Sequence, residues 1–216
     1  MKTILIYSGG LDSTILLHKL KKEGGEIKCI SFNYGQRHSK ELVSATFFCK
    51  KLGIEHKITD LQCIKSIISN SCLTSESSVP EGHYAEDSMK LTVVPNRNMI
   101  MISLAIGWAI NEKFDSVTYA AHSGDHAIYP DCREEFVSFL SKAAELADWH
   151  PVKINRPFIH LTKGDIVKLG EELSVEFEKT WSCYNGREKH CGKCGTCAER
   201  KEAFSLAGVQ DLTTYE

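Results

Sequence analysis

Short apolar runs alternate with helix-length segments along most of this chain, and that alternation leaves few folds open. Thr3 to Tyr7 is apolar and rich in β-branched residues. Asp12 to Lys22 then carries Ile15, Leu16, Leu17 and Leu20 at helical spacing until Gly24-Gly25 stops it. Ile27 to Tyr34 predicts a second strand, Ser39 to Leu52 a second helix closed by Gly53, and Glu55 to Leu61 a third strand. Strands joined through helices of 11 to 14 residues pair in parallel through right-handed crossovers. Residues 62–95 break the rhythm with a Ser-rich stretch followed by Pro80, Gly82 and Pro95, which predicts an irregular excursion of the kind that forms a lid. The pattern then resumes: helix Asn98 to Glu112, strand Ser116 to Ala121, loop to Asp131, helix Arg133 to Asp148, strand Val152 to Pro157 and helix Thr162 to Leu173. The expected fold is α/β, an open doubly wound parallel sheet in a single domain over 1–216. It comprises a core over 1–182 with the 62–95 insertion, a small metal-bearing C-terminal appendage over 183–197, and a helix and tail over 198–216.

Composition narrows the function classes. A chain of 216 residues, 42% hydrophobic and 25% charged, suits one packed domain. Its 26 Lys and Arg against 28 Asp and Glu leave no basic surplus to gain counterion-release energy, so nucleic acid is not the expected partner. The longest apolar stretch, Met99 to Ile110, is broken by Ser103 and Gly107 and falls short of the ~20 residues that cross a bilayer. Ile4 to Tyr7 is too short to serve as the apolar segment of a secretory leader. The expectation is a cytoplasmic protein with no membrane partner. Of nine cysteines, Cys29, Cys49, Cys63, Cys72 and Cys132 are scattered, whereas Cys183, Cys191, Cys194 and Cys197 crowd together, a distribution that suits a metal better than disulfides.

Ser8-Gly9-Gly10-Leu11-Asp12-Ser13-Thr14 lies between the first strand and its helix. Two glycines let the backbone turn tightly, Ser8, Ser13 and Thr14 bring hydroxyls, and the free amides of a helix start attract an anion. This is the composition of a phosphate cradle, without the Gly-Lys-Ser/Thr ending of a Walker loop or the spaced glycines of a dinucleotide fingerprint. Asp12 can hold Mg²⁺ between phosphate oxygens. A plain glycine turn with a helix cap is the competing account.

Four thiolates within Cys183 to Cys197, with Gly192 and Gly195 between them, can close a tetrahedral Zn²⁺ shell. Such a shell keeps no open position for water, which assigns the ion a structural role. An iron–sulfur cluster satisfies the same spacing. Arg187, Lys189, Lys193, Arg200 and Lys201 make the segment locally basic, so a module that reads nucleic acid is a further alternative.

The glycine loop resembles the pyrophosphate-loop signature of the adenine nucleotide α-hydrolase-like ATP pyrophosphatases, which adenylate a carbonyl or carboxyl oxygen. Taken with the thiols and with Phe32-Asn33-Tyr34-Gly35-Gln36-Arg37-His38, Val94-Pro95-Asn96-Arg97-Asn98, Ile128-Tyr129-Pro130-Asp131-Cys132-Arg133 and Cys183-Tyr184-Asn185-Gly186, the chain is similar to the 7-cyano-7-deazaguanine synthase family over nearly its whole length. The resemblance implies a ligase that converts 7-carboxy-7-deazaguanine and ammonia to 7-cyano-7-deazaguanine with ATP, through an adenylated acid and an amide, in a homodimer.

The resemblance also implies an ATP site over Ser8, Gly9, Gly10, Leu11, Asp12, Ser13, Thr14, Ile15, Leu16, Leu17 and His18. Lys163, at a helix start, can stabilise charge on the adenylate, or is a solvated lysine. Arg97 and Arg133 can pair with substrate carboxylate or phosphate oxygens, or form ion pairs at helix ends. Asp125 and Asp131 can read the purine-like edge, or cap loops. His38, His122 and His126 are candidate proton carriers, with local hydrogen bonding as the plainer role. Tyr34, Tyr84 and Trp181 can stack on a base, or simply pack. Two other functions fit the same motifs: activation of a carboxylate for a different amine acceptor, and a tRNA-binding sulfur or modification module.

Overall fold

A computed structural model describes residues 1–83 and 87–216, except the side chains of residues 126 and 127, so Tyr84 and His126 lie outside the described part. The elements in chain order are β1 (Lys2–Ile6), α1 (Leu11–Lys22), β2 (Glu26–Asn33), α2 (Lys40–Leu52), β3 (Glu55–Asp60), α3 (Arg97–Glu112), β4 (Ser116–Thr118), α4 (Glu134–Leu146), β5 (Lys153–Asn155), α5 (Lys163–Glu172) and α6 (Gly195–Ala207). The five strands pair in parallel in the order β3-β2-β1-β4-β5.

Period-2 geometry in a sheet covered on both faces explains the continuous apolar run Ile4-Leu5-Ile6 of β1. Ile4 packs with Ile30, Ile102, Ala105 and Val117 on one face, while Leu5 and Tyr7 pack with Ile15, Leu16, Phe48 and Ile166 on the other. Each such side chain contributes ~1.5–3 kcal/mol when it leaves water. Ile15, Leu16 and Leu17 are fully buried and form the spine of α1 against the sheet. β4 and β5 are shorter than their apolar runs predict. Tyr119 N–H still donates to Asn155 O at 3.1 Å, but Pro157 has no donor to continue a ladder, and the chain after β4 swings out of the sheet toward the site.

The 62–95 excursion is irregular as predicted, with short 3₁₀ turns at Gln62–Ile64 and Asp87–Thr92. Its described residues form no lid over the site. Ile68, Leu73, Val79, Met89 and Val94 are buried in the core, Arg37 N–H donates to Leu73 O at 3.0 Å, and Gly82 N–H donates to Lys193 O at 3.2 Å. Its apolar residues thus fix it as a buttress between the sheet and the C-terminal segment. The last helix, α6, begins at Gly195, inside the four-thiol segment. Strand order reverses between β1 and β4, which opens a crevice at their C-terminal ends.

Candidate active site and metal centre

That crevice holds a cavity of about 260 Å³. One end is the glycine loop. Gly9 has φ +84°, and a Cβ there would lie 2.2 Å from Glu41 O and 2.6 Å from Ala45 N, so only glycine lets α2 approach this closely. Gly9 O accepts from Ser44 Oγ at 2.9 Å and from Trp181 N–H at 3.2 Å, which clamps the loop between α2 and the C-terminal segment. Ser8 Oγ accepts from Gly10 N–H at 3.1 Å and lies 3.0 Å from Ser13 Oγ. Gly10 caps α1 without a side chain, so the first-turn amides remain for an anion.

Asp12, in that first turn, meets Lys163 of α5: Oδ2 lies 2.8 Å from Lys163 Nζ, and Lys163 also lies 2.9 Å from Glu199 Oε2 of α6. Burial disfavours the charge on Asp12, but Lys163, with His122 and Arg200 beyond it, outweighs burial and holds the carboxyl below its usual range. Burial dominates at Glu199 and pushes that carboxyl up despite Lys163. Lys163 loses charge stability to burial and regains more from Asp12 and Glu199, so its ammonium is held well above the ordinary lysine range. Asp12 Oδ1 is buried with no hydrogen-bond partner among the described residues. His122 Nδ1 accepts from Gly124 N–H at 3.1 Å, which assigns the proton to Nε2, 3.5 Å from Asp125 Oδ1 and 3.9 Å from Glu199 Oε1.

The other end of the cavity is aromatic and cationic. Arg97, at the start of α3, lies with its Cζ 5.9 Å from the Tyr129 ring centroid, and Tyr129 and Tyr184 hydroxyls are 3.0 Å apart. Tyr34 joins the same wall, where burial pushes its phenol up to about 12 against the pull of the Arg97 guanidinium. Between the two ends stand His38 and Glu41, whose Nε2 and Oε1 are 3.6 Å apart.

The cavity thus collects Ser8, Gly10, Leu11, Asp12, Ser13, Arg97, Asp125 and Lys163, along with Tyr34, His38 and Trp181. It does not collect all the candidates. Thr14 Oγ1 is paired with Tyr7 OH at 3.1 Å, Ile15, Leu16 and Leu17 face the core, and His18 Nδ1 lies 2.9 Å from Thr14 O with its ring against Phe48. Asp131 accepts from Asn98 N–H at 3.2 Å and so caps α3, and exposed Arg133 caps α4; neither lines the cavity. His122 sits behind Lys163. The cavity also holds Glu41, Glu199 and Tyr184, to which the sequence assigns no role of their own. Their signal in the sequence is proximity: Tyr184 follows Cys183, Glu199 lies two residues past Cys197, and Glu41 lies three past His38.

The four thiols converge. The sulfurs of Cys183, Cys191, Cys194 and Cys197 all lie within 4.8 Å of one another in a buried cluster that could hold a metal ion. Cys191 N–H donates to Cys183 Sγ and Cys194 N–H to Cys191 Sγ, both at 3.3 Å, and Asn185 Nδ2 donates to Cys191 Sγ at 3.3 Å, a donor set suited to thiolates. Behind them Arg200 is fully buried, bonded to Thr180 Oγ1 at 2.8 Å, Ser182 Oγ at 3.1 Å, Phe177 O at 3.0 Å and Asp211 at 3.3 Å. Its charge is internal, so the basic cluster read from sequence is smaller at the surface. No helix among the described residues is long and apolar enough to cross a membrane.

Among solved structures, the chain resembles NMN synthetase from Francisella tularensis, with a TM-score of 0.54 at 12% identity over 97% of this chain and 78% of that one. A 4-thiouridine synthetase solved with RNA and bound ATP gives 0.51 at 16% identity, over 96% of this chain and 50% of that one. Both show the fold. Over 215 residues the chain is 53% identical to a protein of Hahella chejuensis named 7-cyano-7-deazaguanine synthase, covering 100% of this chain and 93% of that one. A protein of the same name from Methanoregula boonei is 51% identical over 216 residues, 100% of both. The family profile described as "Queuosine biosynthesis protein QueC" matches residues 2–208, and the chain belongs to that family.

Proposed function

We propose that this chain is a 7-cyano-7-deazaguanine synthase of queuosine biosynthesis that uses ATP to turn 7-carboxy-7-deazaguanine and ammonia into the nitrile. The observation that carries the reading is the Lys163–Asp12 pair at 2.8 Å beside an uncapped α1 N-terminus, within one cavity that ends at Arg97.

A carboxylate oxygen is a poor leaving group, and transfer of an adenylyl group to it makes it part of a good one. In this reading the Gly9-Gly10 loop, Ser8, Ser13 and the first amides of α1 hold the phosphates, and Lys163 steadies charge as pyrophosphate departs. Arg97 holds the acid, Asp125 accepts from the purine-like edge, and Tyr34, Tyr129 and Tyr184 wall the ring. Asp131 and Arg133 act from behind, by fixing the starts of α3 and α4. Ammonia then displaces AMP to give the amide, and a second adenylylation of the amide oxygen leads to the nitrile in the same cavity. The orphaned Asp12 Oδ1 fits Mg²⁺, which would neutralise phosphate charge. The four converging sulfurs with their N–H donors fit Zn²⁺, which would fix the segment that carries Trp181, Tyr184, Thr196 and Glu199 into the cavity wall. The exposed apolar face of Val43, Phe47 and Ile58 supports a homodimer.

The test supplies the acid, ammonia, magnesium and ATP and follows products by mass spectrometry. Nitrile is expected from the native chain, and Asp12→Ala is expected to abolish turnover with its circular dichroism unchanged. Absence of both amide and nitrile at saturating substrate overturns the reading.

A further inference from the structure

At neutral pH ammonia is nearly all ammonium, which has no lone pair to offer an acyl carbon, so its use as a nucleophile calls for a base inside the cavity. Two titratable groups there, Glu41 and His38, take no part in the adenylylation described above. Glu41 lies in the first turn of α2, where its own carbonyl abuts Gly9. The side chain is 14% exposed and lines the cavity; Oε1 accepts from Gln36 Nε2 at 3.1 Å. His38 is 6% exposed, its Nε2 turned to Glu41 Oε1 and its ring tilted against Tyr184 at 5.5 Å. Its Nδ1 is buried with no hydrogen-bond partner among the described residues. With the proton on Nε2, Nδ1 is an acceptor. Arg97 from α3 and Tyr34 from the end of β2 face the same carboxyl.

We infer that Glu41 and His38 form an ammonium subsite, in which Glu41 accepts an N–H of the ammonium and takes its proton while His38, through Nε2, steadies the same carboxylate. The inference deepens the reading above and rests on it. The step balances: ammonium gives a proton to the Glu41 carboxylate and becomes ammonia; its nitrogen lone pair forms the C–N bond; the carbon–oxygen bond to the adenylyl phosphate breaks with its electrons on oxygen. A second nitrogen proton passes to that departing phosphate oxygen, leaving amide and AMP. Glu41 returns its proton to water through the open cavity before the next turnover. Burial pushes the Glu41 carboxyl up to about 7, against Gln36 and Arg97, which pull it down, a position suited to taking and returning a proton near neutrality. His38 acts as a positioning residue.

Hydroxylamine is a nucleophile already neutral at this pH and needs no base, so it separates proton removal from everything else. With native chain, acid, ATP and either nucleophile, Glu41→Gln is expected to slow amide formation ~100-fold and hydroxamate formation by less than ~3-fold. Amide formation by the variant should recover as pH rises and free ammonia increases about tenfold per unit. His38→Gln is expected to raise KM for ammonium ~10-fold with kcat changed by less than ~3-fold. Equal losses with both nucleophiles, or no loss with ammonia, overturn the inference. Should Glu41→Gln not fold, Glu41→Asp, which withdraws the carboxylate by one methylene, is read by the same contrast. A native chain that forms no acyl adenylate, assayed as pyrophosphate exchange, overturns the underlying reading; one that forms it while the variant slows both nucleophiles alike overturns the subsite alone.

Discussion

Replacing Lys163 with Met removes the cation that Asp12 and Glu199 share, 2.8 and 2.9 Å away, in a pocket where all three side chains are at most one-fifth exposed. Breaking a buried pair from one side costs ~3–5 kcal/mol, because the abandoned charge stays in poor solvent. Two carboxylates are abandoned here, though one can escape by binding a proton, so ~3 kcal/mol is expected. For a chain of this length that lowers Tm by about 6–12 °C. The sign with pH follows from the shifts. Glu199 is already raised by burial, and losing Lys163 raises it further. A carboxyl raised in the folded state contributes its stability fully below the unfolded value and loses it as pH rises through the folded one. Native Asp12 is depressed, so its contribution is present above the unfolded value and lost on acidification; the variant lacks it. The deficit in urea unfolding should therefore be larger at pH 8 than at pH 5. Lys163→Met combined with Glu199→Gln should regain a large part of it, since the glutamine carries no charge to strand. An equal deficit at both pH values, or no recovery in the double variant, would refute the account of a shared ammonium.

Gly9→Ala forces a Cβ to within 2.2 Å of Glu41 O at φ +84°; strain and overlap together should cost ~2–5 kcal/mol, seen as a lower urea midpoint, and calorimetry should show ATP affinity reduced. Chelating the metal proposed for the four sulfurs, or Cys194→Ser, is expected to leave the sheet folded and to loosen residues 183–197, read as amide exchange confined to that segment and α6; uniform exchange across β1 and β2 would contradict this.

Legibility from sequence tracked locality. Strand and helix alternation, the glycine loop and the thiol cluster each sit in one short stretch, where periodicity or spacing speaks directly, and each appears in the structure at nearly the same residues. Partnerships across the chain were not readable. Asp12 meets Glu199 through Lys163 only because α1, α5 and α6 stack on one face of the sheet, and nothing near residue 199 announces it. Arg200 reads as a basic surface residue, yet Asp211 and three oxygens of residues 177–182 make it the centre of a buried knot. Asp131 occupies a helix cap because Asn98 N–H reaches it first, a contest decided by a distance that sequence does not encode. The excursion over 62–95 has the composition of a loose flap, but its scattered apolar residues were enough to pin it.

Cys197 and Glu199 stand two positions apart on the same helix, one among the sulfurs and the other on Lys163. The cavity is therefore walled by a helix whose first turn is also tied to the sulfurs. Whatever slackens the sulfur cluster therefore slackens the counter-charge on Lys163 as well, and through Lys163 it reaches Asp12 at the glycine loop.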